Sequence, residues 1–273
     1  MSEFGLPDFF APGVAAAFVL TALRVGGLLL IAPAWSAKSV PMRLRTATLV
    51  LFGVLLLPAA QAHTDVATLR ITPATFLAES AVGFMIGMSG ALVIAAAEFA
   101  GELATTTIGL SGAAIFDPIN NTQGAILQQF MQVMALIVVL IGGGHIIMLQ
   151  AIAESFASLP LGSPLAIGDG AHAMVRAASS IFVTGVQFAA PVIAAVLLLN
   201  LALAVLGRAA PQLNIMGVAF PLQIGGGLIT FAGSLALIVH AMSDWTPGFG
   251  ATIDSMARAT RAPASSVLST PAR

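Results

Sequence analysis

AASSIFVTGVQFAAPVIAAVLLLNLALAVLG, residues 177–207, carries no charged side chain between Arg176 and Arg208. The stretch from Arg208 to Asp244 also lacks Asp, Glu, Lys and Arg, and so does the one from Asp117 to Glu154. Each is long enough to cross a ~30 Å hydrocarbon core as a helix, which takes roughly 20 apolar residues. The rest of the 273-residue chain follows suit: 58% of it is hydrophobic, 8% is charged, and its mean hydropathy is +1.01. A water-soluble domain needs a solvated skin, and this composition does not supply one. The outer surface must meet lipid or other apolar protein.

The same composition excludes several function classes. A net charge of -1 gives no basic field for nucleic acid. With no cysteine there is no disulfide frame, thiolate metal site or cysteine nucleophile. Tyrosine is absent and histidines number four, and no nucleophile–base pair or metal-ligand cluster emerges. The reading is therefore a non-enzyme without cofactor or metal. Glu3 and Asp8 stand where a signal peptide carries Lys or Arg, and Arg24 interrupts the first apolar run, so that run is read as retained.

Working outward along the chain, Pro12 to Leu30 reads as a first apolar helix ended by Pro33. Thr46 to Leu57 is a second, stopped by Pro58 and too short to cross comfortably. Thr72-Pro73 predicts a helix entry with proline in the first turn, and the third helix runs from Ala74 to Leu103. Thr105 to Gln123 reads as a long polar break. Residues 124–158 form an apolar stretch that would be about 50 Å long as one helix, so it is tilted, kinked or broken at Gly142-Gly143-Gly144. Residues 171–207, kinked at Pro191, and 215–243 complete about six long hydrophobic helices. The expected fold is an all-α membrane protein. Its parts are an N-terminal segment (1–11), one hydrophobic helical domain (12–245) and a polar, flexible tail (246–273). The positive-inside rule gives no orientation. Arg70, Arg176, Arg258, Arg261 and Arg273 fall on one side, and Lys38, Arg43, Arg45 and Arg208 balance them on the other.

A few residues stand out against this apolar background. Glu79, Gly83 and Gly87, continued by Ala91, share one face of the third helix. Small residues at four-residue spacing let helix backbones approach closely in lipid. That stripe serves either packing within the chain or contact with another subunit. Arg24 costs about 2.5–3.5 kcal/mol at a bilayer centre. It either snorkels or pairs with backbone carbonyls or an acid; Glu79, Glu98 and Glu102 are candidates, unranked by sequence. A proton path through Glu98, Glu102, Asp117, His145 and Glu154 is disfavoured because most of these lie near helix ends, where solvation explains them. In the central break, Gly109 and Gly112 free the backbone around Ile115 and Phe116, and Asp117-Pro118 fixes a turn. Such a segment is either an ordinary loop or an apolar constriction of a pore.

These residues, in order, resemble the flagellar biosynthesis protein FliR family and its virulence type III secretion counterparts. The resemblance runs from Phe9 to residue 245. It rests on Arg24, Pro33 and Pro41, the Glu79-x3-Gly83-x3-Gly87 stripe, Ala100-Gly101-Glu102, Gly109, Asp117-Pro118, Gly144-His145 and Ser155-Phe156-x3-Pro160. The most specific block is Arg208-Ala209-Ala210-Pro211-Gln212-Leu213-Asn214-Ile215, followed by Phe220-Pro221-Leu222. Ile146, Ala219 and Gln223 depart from the family's usual histidine, glycine and lysine.

The resemblance implies a structural core subunit of the export gate in the bacterial inner membrane, within the flagellar basal body. It implies assembly with FliP and FliQ subunits, with a FliP-like part and a FliQ-like part in the fold. Further partners would be FlhB, unfolded export substrates and membrane lipid, with no nucleic acid. It implies a channel plug over Gly109, Gly112, Ile115, Phe116, Asp117 and Pro118. Subunit packing would fall to Arg24, Glu79, Gly83, Gly87, Arg208, Pro211, Gln212 and Asn214. The competing expectation is an independent secondary transporter, against which stands the absence of an inverted repeat and of a buried acid pair.

Overall fold

A computed structural model of the chain describes residues 11–36, 40–110, 126–164, 167–210 and 215–259. Among them there is no strand. The helices are α1 (Val14–Ile31), α2 (Pro33–Ser36), α3 (Met42–Ala62), α4 (Pro73–Ile108), α5 (Ile126–Ile141), α6 (Gly144–Ser158), α7 (Ile167–Ala209) and α8 (Ile215–Ala259). A 3-10 turn, Val66–Thr68, lies between α3 and α4. Among the described residues five helices are long and apolar enough to cross a membrane, or six if α5 and α6 count as one broken span.

Local chemistry explains the helix ends, including those that differ from expectation. The Thr72-Pro73 entry of α4 is as predicted. Thr75 N–H donates to Thr72 Oγ1, and Thr72 N–H donates to Thr75 Oγ1, a reciprocal cap ahead of a proline that has no N–H to satisfy. Pro58, expected to stop the second helix, lies inside α3, which reaches 21 residues. Proline removes one backbone bond there, but it sits one turn from the end and is followed by Ala59, Ala60, Gln61 and Ala62, which favour helix. The segment is therefore long enough to span.

The polar break expected from Thr105 begins later, because α4 continues to Ile108. Thr105, Thr106 and Thr107 turn their hydroxyls back onto carbonyls of Gly101, Glu102 and Leu103. Three polar side chains are thereby satisfied by the helix itself. The stretch 124–158 is broken at the glycines, with Gly143 at φ 72° ahead of α6. Pro191 lies within a continuous α7, and the tail expected from residue 246 is helical as far as Ala259.

Within the hydrophobic region the chain divides into two compact units. One comprises the described parts of Met1–Ala91, Gly143–Ala178 and Pro247–Arg273; the other comprises Leu92–Gly142 and Ser179–Thr246. The boundaries fall inside α4, α7 and α8 and at the glycine break between α5 and α6.

In the first unit α1 packs on α3 and on the first half of α4. The approach to α4 is so close that a Cβ on Gly83 would lie 1.8 Å from the Arg24 carbonyl oxygen, and one on Gly87 2.8 Å from that of Leu28. Gly27 answers from α1, where a Cβ would lie 2.4 Å from the Ser80 carbonyl oxygen. Of the two readings of the small-residue stripe, the structure displays the one within the chain: Arg24, Glu79, Gly83 and Gly87 are covered by its own helices.

The second unit has a continuous apolar core in which each helix contributes one stripe. Ala97, Ala100, Ala104 and Ile108 come from α4, Leu127, Met131 and Ala135 from α5, Phe188, Val192 and Val196 from α7, and Phe231, Ile238 and Met242 from α8. The three- and four-residue spacings are those of helices presenting one face to a shared centre.

Gly83→Ala tests the α1–α4 approach. The added methyl meets backbone, which does not yield as a side-chain tip does, so a loss of at least ~1–3 kcal/mol is expected, read as a lower thermal midpoint in detergent. Gly233→Ala is the control: nothing lies within 4 Å of its Cβ, and stability should hold or rise slightly.

Candidate functional site

Arg24 lies in the second half of α1, where its side chain is 1% exposed and that of Glu79 is 2%. An isolated charge at such burial is prohibitively costly, so each hydrogen-bonding atom needs a partner. Nε donates to Glu79 Oε2 at 2.7 Å, Nη1 to Ser155 Oγ at 2.9 Å, and Nη2 to the Leu159 carbonyl oxygen at 2.9 Å. The guanidinium carbon stands 4.5 Å from the centre of the Phe156 ring, in cation–π range.

Glu79 Oε1 accepts the N–H of Gly162 at 2.9 Å, and the neighbouring Leu161 N–H donates to Thr64 Oγ1. One ion pair thus gathers α1, α4, α6 and the loop after α6. It selects Glu79 from the three acids open in the sequence and rules out a snorkelling Arg24. Each nitrogen of the guanidinium and each oxygen of the carboxylate has a partner within the chain, so the cluster ties the chain's own helices together. In the same unit a cavity of about 730 Å³ is bordered by Leu77, Ala81, Phe84, Met85, Pro164 and Met174, and among the described residues no titratable side chain lines it.

The remaining candidates do not converge. Glu98 accepts a hydrogen bond from the Gln132 amide, linking α4 to α5, while Glu102 and Glu154 are exposed. His145 lies in the first turn of α6, and its Nδ1 is buried without a hydrogen-bond partner. Among the described residues no group of three or more His, Asp or Glu is placed to hold a metal. A proton path gains no geometric support from these positions.

Gly109 closes α4 in the left-handed region at φ 89°. Its N–H donates to Thr106 O, and Leu110 N–H donates to Thr105 O, the paired bonds of a Schellman turn. The next carbonyl, Thr107 O, accepts the Gln223 side-chain amide from α8 at 3.0 Å. Gly112, Ile115, Phe116, Asp117 and Pro118 lie outside the described residues, as do Pro211, Gln212 and Asn214. Arg208 is exposed in the last turn of α7, where its charge complements the negative end of the helix dipole.

Residues 15–247 match the family described as bacterial export proteins, family 1. The flagellar biosynthetic protein FliR of Escherichia coli (strain K12) is 33% identical over 218 residues, covering 79% of this chain and 83% of that protein. That of Pectobacterium carotovorum subsp. carotovorum is 31% identical over 216 residues, with the same two coverages. The FliR of Caulobacter vibrioides is 29% identical over 223 residues, covering 81% of this chain and 89% of its own length.

The chain belongs to the FliR family of bacterial export proteins.

Family membership makes it a membrane protein with a role in flagellar protein export. Sequence reasoning reached Arg24 and Glu79 but missed their remaining partners. Ser155 and Phe156 were visible only as part of a motif, and the carbonyl of Leu159 has no signature because every residue carries one. Gly27 was also missed, although its place one turn after Arg24 on a helix meeting Gly83 was a usable signal.

Removing one partner of the cluster should be worse than removing both. Glu79→Leu or Arg24→Met alone is expected to lose ~3–5 kcal/mol, while the double variant Arg24→Met/Glu79→Leu loses markedly less. Denaturant unfolding of the four proteins as a double-mutant cycle measures this. A loss in the double equal to the sum of the two single losses would show that the charges do not depend on each other.

Proposed function

We propose that this chain is a core structural subunit of the flagellar type III protein export gate, in the inner membrane within the basal body. It assembles there with FliP and FliQ subunits around a conduit for unfolded export substrates and works beside FlhB. The observation that carries the reading is the mixed character of its uncovered faces. Only 17% of the apolar window of α3 and 22% of those of α7 and α8 is buried, against 67% in α4. Leu197, Leu198 and Leu201 on α7 and Ile229 on α8 point outward. Lipid alone satisfies such leucines and isoleucines.

It does not satisfy the amides among them. Gln129 on α5 and Gln187 and Asn200 on α7 are exposed on otherwise apolar helices, and Glu102 is exposed on α4. Polar groups facing hydrocarbon are costly, whereas a neighbouring subunit or a watery conduit supplies partners. These faces therefore fit assembly with sister proteins better than solitary life in lipid. Within that assembly the segment from Gly109 through Gly112, Ile115, Phe116, Asp117 and Pro118 acts as the plug, Phe116 being its bulkiest apolar group. The turn carrying Arg208, Pro211, Gln212 and Asn214 contacts a neighbouring subunit.

Two measurements test the reading. Tagged chain purified in mild detergent should carry FliP and FliQ with it; a stable solitary protein that transports a solute in liposomes would replace this reading with the transporter. Deleting residues 110–116 should raise ion conductance through the assembled gate, and unchanged conductance would remove the plug.

A further inference from the structure

A helix leaves its last four carbonyls without partners, and in apolar surroundings each needs one. At the end of α4 the Schellman turn supplies two: Leu110 N–H serves Thr105 O, and Gly109 N–H serves Thr106 O. The third, Thr107 O, is served from a distant part of the chain by Gln223 Nε2. The same amide stands 3.6 Å from the Cβ position of Gly109. One turn further along α8, Gly227 admits Ile108, since a Cβ there would lie 2.6 Å from an Ile108 side-chain carbon. Ile108 is fully buried, and Ile224 packs against the same core.

We infer that Gln223 is a positioning residue: from α8 it caps the C-terminus of α4 and fixes the point at which the chain leaves that helix. The local turn closes the backbone through Leu110, but by itself it does not hold the end of α4 against α8. A donor on the second helix does, because Thr107 O and the α8 backbone must then stay within one side-chain length. The glycine at 227 makes this reach possible, and the buried Ile108 holds the other side. The bearing of this cap on export rests on the proposed gate function; the cap itself does not.

The test uses the full-length chain in detergent, with hydrogen exchange followed at the Gly109 and Leu110 amides. Gln223→Met keeps the length and removes the donor; Gln223→Lys keeps a donor on a flexible stem. Exchange should rise roughly two- to twelvefold in Gln223→Met, the loss of one ordinary hydrogen bond, and return toward the parent rate in Gln223→Lys. The α6 amides should not change. Unchanged exchange in Gln223→Met, or equal acceleration in both variants, would overturn the inference. Should Gln223→Met fail to fold, Gly227→Ala pushes α8 off Ile108 with Gln223 intact. Acceleration at Gly109 and Leu110 would then support the cap, and none would overturn it.

In cells, flagellar protein export should fall with Gln223→Met and recover with Gln223→Lys. Altered exchange with unaltered export keeps the cap and overturns its bearing on the gate. A plug deletion without effect on conductance counts against the channel reading alone.

Discussion

A guanidinium buried in the first apolar helix constrains the first unit of this protein more tightly than any single apolar contact. Leu20, Val25 and Leu28 would be content in many packings, because dispersion and burial are non-directional. Arg24 would not. It needs acceptors at fixed angles, and it finds them on Glu79, Ser155 and Leu159, with the Phe156 ring against its face. A buried ion pair is weak evidence of net stability, since desolvation offsets much of its attraction. Its stronger effect is to penalise every alternative in which the partners are apart.

The close approach of α1 and α4 follows from the same constraint. Glu79 reaches Arg24 with a short side chain only if the two backbones come near, and Gly27, Gly83 and Gly87 leave room for that. In lipid the hydrophobic effect does not press helices together, so small residues and a polar anchor do the selecting. The second unit is built differently. Its core is a set of apolar stripes, with polar contacts at the edges: Glu98 to Gln132 and Gln223 to Thr107.

The class of the protein was legible because charge scarcity over hundreds of residues admits few explanations. Helix entries were legible where capping chemistry is local, as at Thr72-Pro73. Ends were misjudged where a local rule met a context it does not include. Pro58 ends many helices but not one with a final turn of good formers behind it, and three threonines look polar until their hydroxyls fold back onto carbonyls. The Arg24 partner was narrowed to three acids, and only three-dimensional placement separates residues 55 and more positions away. Gln223 stood out in sequence as a departure from the family pattern, yet its role as a donor to Thr107 depends on two distant helices lying side by side.

The order in which Arg24 meets its partners has a consequence for biogenesis. Glu79 follows it by 55 residues and Ser155 by 131. At synthesis rates of ~5–20 residues per second, the ribosome delivers the first roughly 3–11 s later and the second roughly 7–26 s later. Throughout that interval the nascent first helix carries an unneutralised cation. Until the later spans arrive, that cation costs about 2.5–3.5 kcal/mol at a bilayer centre, a cost the finished cluster removes by supplying acceptors.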